Sequence, residues 1–189
     1  MLSVMQRRFV RPLAGSAGGF SLIEVLVAVL VMGIGVLGVT ALQLVSLQNN
    51  RAALVRAEAV QLAYDMMDRI RANPEGAPPG AAYGGLGIGD PPPNPPGSYC
   101  MTAACTPAQM VAFDQAMWKC MLGSYTQDAI CQDMYDDGLL PANAQGNAQQ
   151  PGLPGGDGAI ALNGSVIEVT VQWQDTDGVL QSVVIDSQG

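Results

Sequence analysis

A long uncharged run near the N-terminus constrains this chain more than any other feature. From residue 25 to residue 50 the sequence contains no charged side chain, and most of its residues are apolar. A helix of about 20 such residues is long enough to cross a bilayer. Glu24 directly precedes the run, although a charged side chain at the centre of a membrane costs about 3 kcal/mol. We therefore expect a membrane-inserting helix in which Glu24 has a specific use.

The charges on the two sides of this run differ in sign. The first 19 residues contain Arg7, Arg8 and Arg11 and no acidic residue, whereas all 16 acidic residues follow and outnumber the remaining basic ones. Basic residues beside an apolar helix stay on the cytoplasmic side of the membrane, so the C-terminal part should be exported. Its acidic balance argues against a nucleic-acid partner, because contacts to phosphates need basic patches.

The composition excludes several kinds of chemistry. The chain has no histidine, which removes Ser–His and Cys–His catalysis and the commonest zinc ligand. The four cysteines lack the paired C-x2-C spacing of a four-cysteine zinc site. We predict no enzyme activity, no metal, no cofactor and no small-molecule substrate. In an exported domain the even number of cysteines favours disulfides.

The residues at the start of the run resemble a known processing signal. The stretch GGFSLIEVLVAVLVMGIGVLG, residues 18–38, contains Gly19, Phe20 and Glu24 in the order found in the class III signal of type IV pilins and pseudopilins. The resemblance implies that residues 1–19 are a leader peptide, that a prepilin peptidase cuts between Gly19 and Phe20, and that Phe20 is N-methylated. A secretory signal peptide fits less well, because its apolar core has only about 7–15 residues. A plain single-pass anchor would leave Gly19 and Glu24 without a role.

Cleavage at that position would give Glu24 a partner. It would create an α-amine on Phe20, one helical turn before Glu24, and the apolar run offers no Lys or Arg instead. A carboxylate alone in an apolar medium is costly, whereas a paired one is much less so. In a bundle of such helices the amine could belong to a neighbouring subunit. Glu24 is therefore expected to set helix register during assembly, as the family resemblance implies.

The helical pattern continues beyond the apolar run. One apolar stripe recurs at spacings of three and four residues, which is typical of an amphipathic helix, and comprises Val55, Ala59, Leu62, Met66 and Ile70. Asn73-Pro74 should end the helix, because Pro disfavours a helical residue before it. We predict a transmembrane or filament-core half over residues 20–48, an amphipathic half over residues 49–73, and a Pro/Gly-rich surface loop over residues 74–99.

Residues 100–189 are predicted to form a globular head that contains the disulfides. The stretch from Thr106 to Gln109 is a capping-box helix start, and Gly123 is a plausible stop. A second short helix is predicted from about residue 126 to residue 135, and residues 141–158 are expected to be irregular. Residues 165–173 and 178–186 then alternate with a period of two, which predicts a C-terminal β-hairpin with a turn over residues 175–178.

A helix over residues 107–121 limits how the four cysteines can pair. It would separate Cys105 and Cys120 by about 20 Å, whereas the Cα atoms of a disulfide lie within about 7 Å. Two arrangements remain. We favour Cys100–Cys105 with Cys120–Cys131, and the alternative is Cys100–Cys120 with Cys105–Cys131.

These features predict an α+β fold of the type IV pilin kind, with a long N-terminal α-helix packed on a small antiparallel β-sheet head that has extra helices. The stretch RAEAVQLAYDMMDRIRANP, residues 56–74, with the preceding LQLVSLQNNRAALV, resembles minor pilins of the PilV type. Near the C-terminus, LPGGDG and VTVQWQD give a shorter and weaker match.

The resemblance implies a minor pilin that helps prime or modify type IV pilus assembly. Its head would be periplasmic while the helix crosses the inner membrane, and it would reach the cell surface in the pilus. The expected partners are the prepilin peptidase, other minor pilins, the major pilin and the inner membrane. Two alternatives stay open: a minor pseudopilin of a type II secretion system, and a membrane-anchored periplasmic binding module, which predicts an uncleaved N-terminus at Met1.

Overall fold

The computed structural model describes residues 19–74, 83–97, 99–101, 103–140, 152–163, 165–175 and 177–188. The elements follow in the order α1 (Leu22–Ala72), α2 (Pro107–Leu122), α3 (Ala129–Asp136), β1 (Asp157–Asn163), β2 (Val166–Gln174) and β3 (Leu180–Gln188). The chain divides into two compact units, Met1–Ser46 and Leu47–Gly189, which are described separately.

The described residues of the first unit form the beginning of α1. The backbone N–H groups of Glu24 and Val25 donate to the carbonyl oxygen of Ser21 at 3.0 and 3.3 Å, which closes the first turn. Every described residue of this unit is exposed. The segment therefore has no core of its own, and its apolar side chains need contacts from outside the unit.

The second unit has a core between the last part of α1, α2 and one face of the sheet. The predicted apolar stripe is the face of α1 that packs, because Ala59, Met66 and Ile70 are buried and Val55 and Leu62 are partly buried against the same core. The other members of this core come from α2 and from the strands, and include Trp118, Leu122, Ile160, Val169 and Val171.

The helix α2 begins and ends at the residues that the sequence indicated. Thr106 is the N-cap, Pro107 is the first helical residue, and the side chains of Thr106 and Gln109 form a reciprocal capping box. Gly123 follows the last turn with φ +122°, a backbone conformation that side chains other than glycine rarely adopt. The helix α3 starts later than predicted, because the side chain of Asp128 accepts from the N–H of Ile130 at 2.9 Å and caps it there.

Two disulfides connect the cysteines of the head. Cys100 pairs with Cys105 at a Cα–Cα distance of 5.2 Å, and Cys120 pairs with Cys131 at 5.4 Å. This is the arrangement that the sequence analysis favoured of the two left open. The second bridge joins α2 to α3 inside a smaller apolar cluster that also contains Phe113, Ala116, Met117, Met134 and Leu140.

The sheet is antiparallel with the strand order β1-β2-β3. The predicted hairpin is present as β2 and β3, and the N–H of Asp175 donates to the carbonyl oxygen of Val179 at 2.9 Å at its turn. The expectation that residues 141–158 are irregular was wrong at its end, because β1 starts at Asp157. Of that stretch, residues 141–151 lie outside the described residues. Gly and Ala in DGAIALN give a weak strand signal, and this strand forms because it can pair with β2.

The Pro/Gly-rich segment is a loop, but the expectation of a surface loop was wrong for part of it. Tyr83 and Leu86 are buried. The N–H of Ile160 donates to the carbonyl oxygen of Leu86 at 2.7 Å, and the N–H of Gly85 donates to that of Ile160 at 3.1 Å. The segment thus extends the β1 edge of the sheet by one bridge. Residues 75–82 and residue 98 lie outside the described part of the chain.

Candidate assembly and processing site

The three residues of the predicted processing signal lie close together at the start of α1. Gly19 and Phe20 precede the helix, and the Phe20 side chain is 85 % exposed. A Cβ added at Gly19 would meet no atom within 4 Å, so the backbone there is open on that side. An exposed peptide bond outside a helix is the kind of substrate that a peptidase can reach. The cut between Gly19 and Phe20 stays a prediction.

Glu24 lies in the first turn of α1 and is exposed. The N-terminal end of a helix carries a partial positive charge, which favours a carboxylate in its first turn. Glu24 is also the single charged residue between Phe20 and Asn50. In the structure, Glu24 therefore lies exposed at the N-terminal end of an apolar helix, four residues after Phe20.

The first part of α1 exposes apolar side chains on all of its sides. Consecutive residues contribute, so no face of this helical segment is polar over its length. The large apolar side chains that are at least half exposed include Leu22, Ile23, Val25, Leu26, Val27, Val29, Leu30, Val31, Met32, Ile34, Val36, Leu37, Val39, Leu42, Leu44, Val45 and Leu47. Soluble proteins rarely expose such a continuous apolar surface. It requires lipid or other helices around it.

In the described part of the chain, α1 is long and apolar enough to cross a membrane by its length and composition. The apolar segment of this helix is not buried inside the protein. The core helix of a soluble protein would be mostly covered, and this segment is not.

The second unit contains a buried ion pair that the sequence analysis missed. The Lys119 side chain is fully buried, and its Nζ lies 2.6 Å from Oδ1 of Asp157. Nζ also donates to the carbonyl oxygen of Gly87 at 2.8 Å. The Asp157 carboxylate accepts from the N–H groups of Gly89 at 2.6 Å and Gly158 at 2.7 Å. The pair therefore ties α2, the Pro/Gly-rich loop and β1 together.

Tyr125 covers this ion pair. Its hydroxyl donates to Oδ2 of Asp157 at 3.4 Å, and Nζ of Lys119 lies 5.3 Å from the centre of its ring. Burial, followed by the negative charge of Asp157, raises the pKa of Tyr125 to about 12. Tyr125 therefore holds its proton in this position well above the usual pH of tyrosine ionisation.

A second polar cluster lies where α1 ends. The Arg69 side chain forms ion pairs with Asp65 at 2.8 Å and with Asp114 of α2 at 3.2 Å. The hydroxyl of Tyr83 donates to Oδ2 of Asp114 at 2.6 Å, and the Asn73 amide donates to the Tyr83 hydroxyl at 3.2 Å. This cluster connects α1, α2 and the buried Tyr83 of the loop.

The electrostatics of this cluster follow from burial and from its two carboxylates. Burial, followed by the hydrogen bond to Asp114, raises the pKa of Tyr83 far above its usual value. Burial alone would lower the pKa of Arg69, but Asp65 and Asp114 outweigh it, so the pKa is raised. In the described residues no buried side-chain nitrogen or oxygen lacks a hydrogen-bond partner. Both clusters are arranged to hold segments together.

The sequence contains two signals of the Lys119–Asp157 pair that the sequence analysis did not use. Lys119 is the only lysine and lies within the apolar stretch AMWKCML, and Asp157 lies between glycines in GGDG. Gly158 is required beside it, because a Cβ there would lie 2.3 Å from the Trp118 ring. A lone charge in an apolar helix and a carboxylate in a glycine-rich segment together indicate a buried pair. Among the described residues no group of three or more His, Cys, Asp or Glu side chains is placed to hold a metal ion.

The long helix, the small antiparallel three-stranded sheet and the extra helices define a protein of the type IV pilin fold class. Residues 41–116 match the family model Tt1218-like, described as type IV pilin Tt1218. Residues 16–40, directly before them, match the prokaryotic N-terminal methylation motif. Over residues 16–116 the chain is therefore similar first to the prepilin methylation motif and then to a type IV pilin. No curated protein and no solved structure matched the chain.

These matches bear out the predicted class of protein and the processing motif. The methylation motif contains Gly19, Phe20 and Glu24, and it implies processing by a peptidase, anchoring in the membrane and assembly with other pilins. The family is structural, in agreement with the predicted absence of an enzyme role. The narrower prediction of a PilV-type minor pilin belongs to the proposal that follows.

Proposed function

We propose that this protein is a minor pilin that helps prime or modify type IV pilus assembly. The observation that supports it best is the first part of α1, which exposes apolar side chains on every side and bears one carboxylate in its first turn. Such a surface can be covered first by lipid and then by the equivalent helices of other pilins. The PilV-like stretch over residues 56–74 favours a minor pilin over the major one.

In this proposal the mature protein starts at an N-methylated Phe20. Before assembly α1 crosses the inner membrane and the second unit faces the periplasm, an oxidising compartment in which both disulfides are stable. During assembly the apolar segment leaves the lipid and joins a helix bundle. Glu24 then pairs with the α-amine of Phe20, in its own chain or in a neighbouring subunit, and so fixes the axial position of the helix.

Mass spectrometry of the mature N-terminus tests the processing step. The expected first residue is N-methylated Phe20, and its appearance should depend on the prepilin peptidase of the host. A start at Met1 would contradict the proposal and favour an anchored periplasmic binding module. A start after Ala41 would contradict it as well, because the apolar helix would then have been removed.

Deletion of the gene separates the pilus from the secretion system. A minor pilin should be needed for surface pili and for twitching, and a copy of the gene should restore both. A minor pseudopilin of a type II secretion system shares Phe20 and Glu24, but its loss should stop secretion of exoproteins and leave twitching unchanged. Loss of secretion with unchanged twitching would overturn the assignment to the pilus. The proposed pairing of Glu24 during assembly would still apply to a pseudopilin.

A further inference from the structure

The outer edge of β3 is an open strand edge with a single charged residue, Asp186. In the described sheet β3 pairs only with β2, through consecutive antiparallel pairs from Leu180 to Gln188 with no bulge. Natural edge strands are commonly shielded by charged side chains, especially Lys, or by Pro, a bulge or a covering segment. Of these devices the strand has one charged residue, Asp186, and it contains neither Lys nor Pro. The ladder partner of β3 is β2, and Arg71 of α1 donates to the Ser187 hydroxyl at 3.0 Å near the end of the strand.

The hairpin turn shows which backbone groups face the open edge. The N–H of Asp175 donates to the carbonyl oxygen of Val179, so these two residues form a hydrogen-bonded pair. Hydrogen-bonded and non-bonded pairs alternate along an antiparallel ladder. The odd-numbered residues of β3 therefore bond to β2, and Ser182, Val184 and Asp186 direct their N–H and C=O groups outward.

The side chains at this edge are partly apolar. Leu180 and Val184 are 57 % and 51 % exposed on the outer face of the sheet. On the inner face Val183 and Ile185 pack against the core but are only partly buried. A further strand beside β3 would form hydrogen bonds with the outward backbone groups. Its side chains would cover the partly exposed apolar side chains on both faces of β3.

The charges beside the edge select the partner. Glu168 of β2 and Asp186 of β3 lie directly opposite each other in the ladder. Like charges at opposed positions destabilise a sheet. The ion pairs of the described residues involve neither of them. A basic side chain on an added strand would relieve this repulsion. A second copy of the chain would add another Asp186 and a net charge of −8.

We propose that the outer edge of β3 binds an extended segment of a different protein chain, whose Lys or Arg side chains face Glu168 and Asp186. Backbone hydrogen bonds to Ser182, Val184 and Asp186 would supply the affinity, and the two carboxylates would supply the selectivity. The proposal is independent of the minor pilin role, because it also holds for a pseudopilin.

The test uses the full chain in non-ionic detergent micelles and a short fluorescent peptide in which Lys alternates with Val and Thr. We expect this peptide to bind, and a peptide with Glu at the Lys positions not to bind. Val184→Pro should weaken binding about tenfold, because it removes an outward N–H and leaves the bonds to β2 intact. Val184→Thr keeps that N–H and the branched shape, so it is the matched control and should change binding less than about threefold.

Two further measurements keep the test decisive. The double variant Glu168→Gln with Asp186→Asn should bind more weakly and lose most of its salt dependence. Amide exchange in the unaltered protein should slow at Ser182, Val184 and Asp186 when the basic peptide is added, a readout that does not depend on a variant folding correctly.

Three outcomes would overturn the proposal. The first is no binding of the basic peptide at millimolar concentration. The second is equal binding by a folded Val184→Pro variant with no change in amide exchange at the edge, which would show a purely electrostatic contact. The third is self-association that Val184→Pro abolishes, measured by sedimentation, which would assign the edge to a second copy of this chain.

Discussion

At the scale of single residues, the head depends on one buried charge pair. Lys119 is fully buried and Asp157 is nearly so, and each has further hydrogen bonds to the backbone. Removing one partner of such a pair is strongly destabilising, because the other charge stays buried without compensation. We predict that Lys119→Met lowers the free energy of unfolding by about 3 kcal/mol. Trp118 and Trp173 are both buried in this unit, so their fluorescence in a denaturant titration reports the loss.

The exposed ion pair between Arg71 and Asp68 offers the matched control for that measurement. Its side chains are 57 % and 73 % exposed, and an exposed pair contributes only about 0–1 kcal/mol. Arg71→Met should therefore have a small effect. Adding Asp157→Asn to Lys119→Met should recover part of the loss, because the unpaired carboxylate is gone. Equal effects of Lys119→Met and Arg71→Met would show that the buried pair is not the element that holds the loop to the head.

A residue-scale pH dependence follows from Tyr125. Its pKa in the folded protein is about 12, raised by burial and by Asp157, against about 10 in an unfolded chain. The stability that comes from the protonated hydroxyl is complete below about pH 10 and is lost as the pH rises towards 12. We predict that the free energy of unfolding falls between about pH 10 and about pH 12, the window between the two pKa values, and falls less steeply in Tyr125→Phe.

Chemical denaturation at several pH values in that window gives the two slopes. Tyr64→Phe is the control, because the Tyr64 side chain is 52 % exposed in α1. It should keep the slope of the unaltered protein. Identical slopes for Tyr125→Phe and the unaltered protein would mean that the hydroxyl is not held in its protonated form by the fold.

At the scale of secondary-structure elements, short sequence patterns predicted those features that depend on residues close together in the chain. The cap of α2 needs only Thr106, Gln109 and the intervening residues, so its first turn could be found from four letters. The alternation over residues 165–173 likewise predicted β2, because every second side chain of that strand faces the core. The class III motif indicated a processing signal for the same reason, since Gly19, Phe20 and Glu24 lie within six consecutive residues. The cleavage itself stays a prediction.

Elements that depend on distant partners could not be found in this way. The strand β1 is specified by its pairing with β2 and by the close approach of Gly158 to Trp118, and neither is visible in DGAIALN alone. Burial of Tyr83 depends on Asp114, 31 residues further along the chain. A loop rich in Pro and Gly has no periodic pattern from which such contacts could be predicted.

We predict that removing the two disulfides lowers the stability of the head by unequal amounts. The Cys120–Cys131 bridge spans 11 residues and is buried between α2 and α3, whereas Cys100–Cys105 spans 5 and is only partly buried. Loop closure gives about 3 kcal/mol for the longer loop and about 2 kcal/mol for the shorter. Replacing the buried pair with Ala also removes packing in its cluster, so this double variant should be clearly the less stable of the two.

Denaturation midpoints of the two double Ala variants, measured in the same detergent, compare the bridges. A larger loss for Cys100→Ala with Cys105→Ala would contradict the prediction. Peptide mapping without reduction should recover the two bridged pairs, and a Cys100–Cys120 peptide would instead support the alternative pairing that the sequence left open.

At the scale of the whole molecule, the two units bury apolar surface in different ways. The second unit covers its own apolar residues with α1, α2, the loop and the sheet, and satisfies its buried polar groups internally. The described residues of the first unit bury none, so their partners must come from the membrane or from other chains. A chain of this kind can have a stable head while its apolar segment still needs partners, which is what the proposed transfer from lipid into a filament requires.

Substitutions of Glu24 test the proposed transfer of the helix from the membrane into the filament. A carboxylate in an apolar bundle is tolerated when a cation lies beside it, and processing at Phe20 would supply one. We predict that Glu24→Ala and Glu24→Gln still insert and lose their leader, because insertion depends on the apolar run, but that both enter filaments poorly. Val25→Ala is the matched control, since it changes an exposed side chain in the same turn without removing a charge. The measurement is the ratio of each variant in sheared pili to that in the inner membrane. Because Gln has nearly the volume of Glu, a loss shared by Ala and Gln assigns the effect to charge, whereas normal incorporation of both variants would remove the pairing of Glu24 from the assembly mechanism.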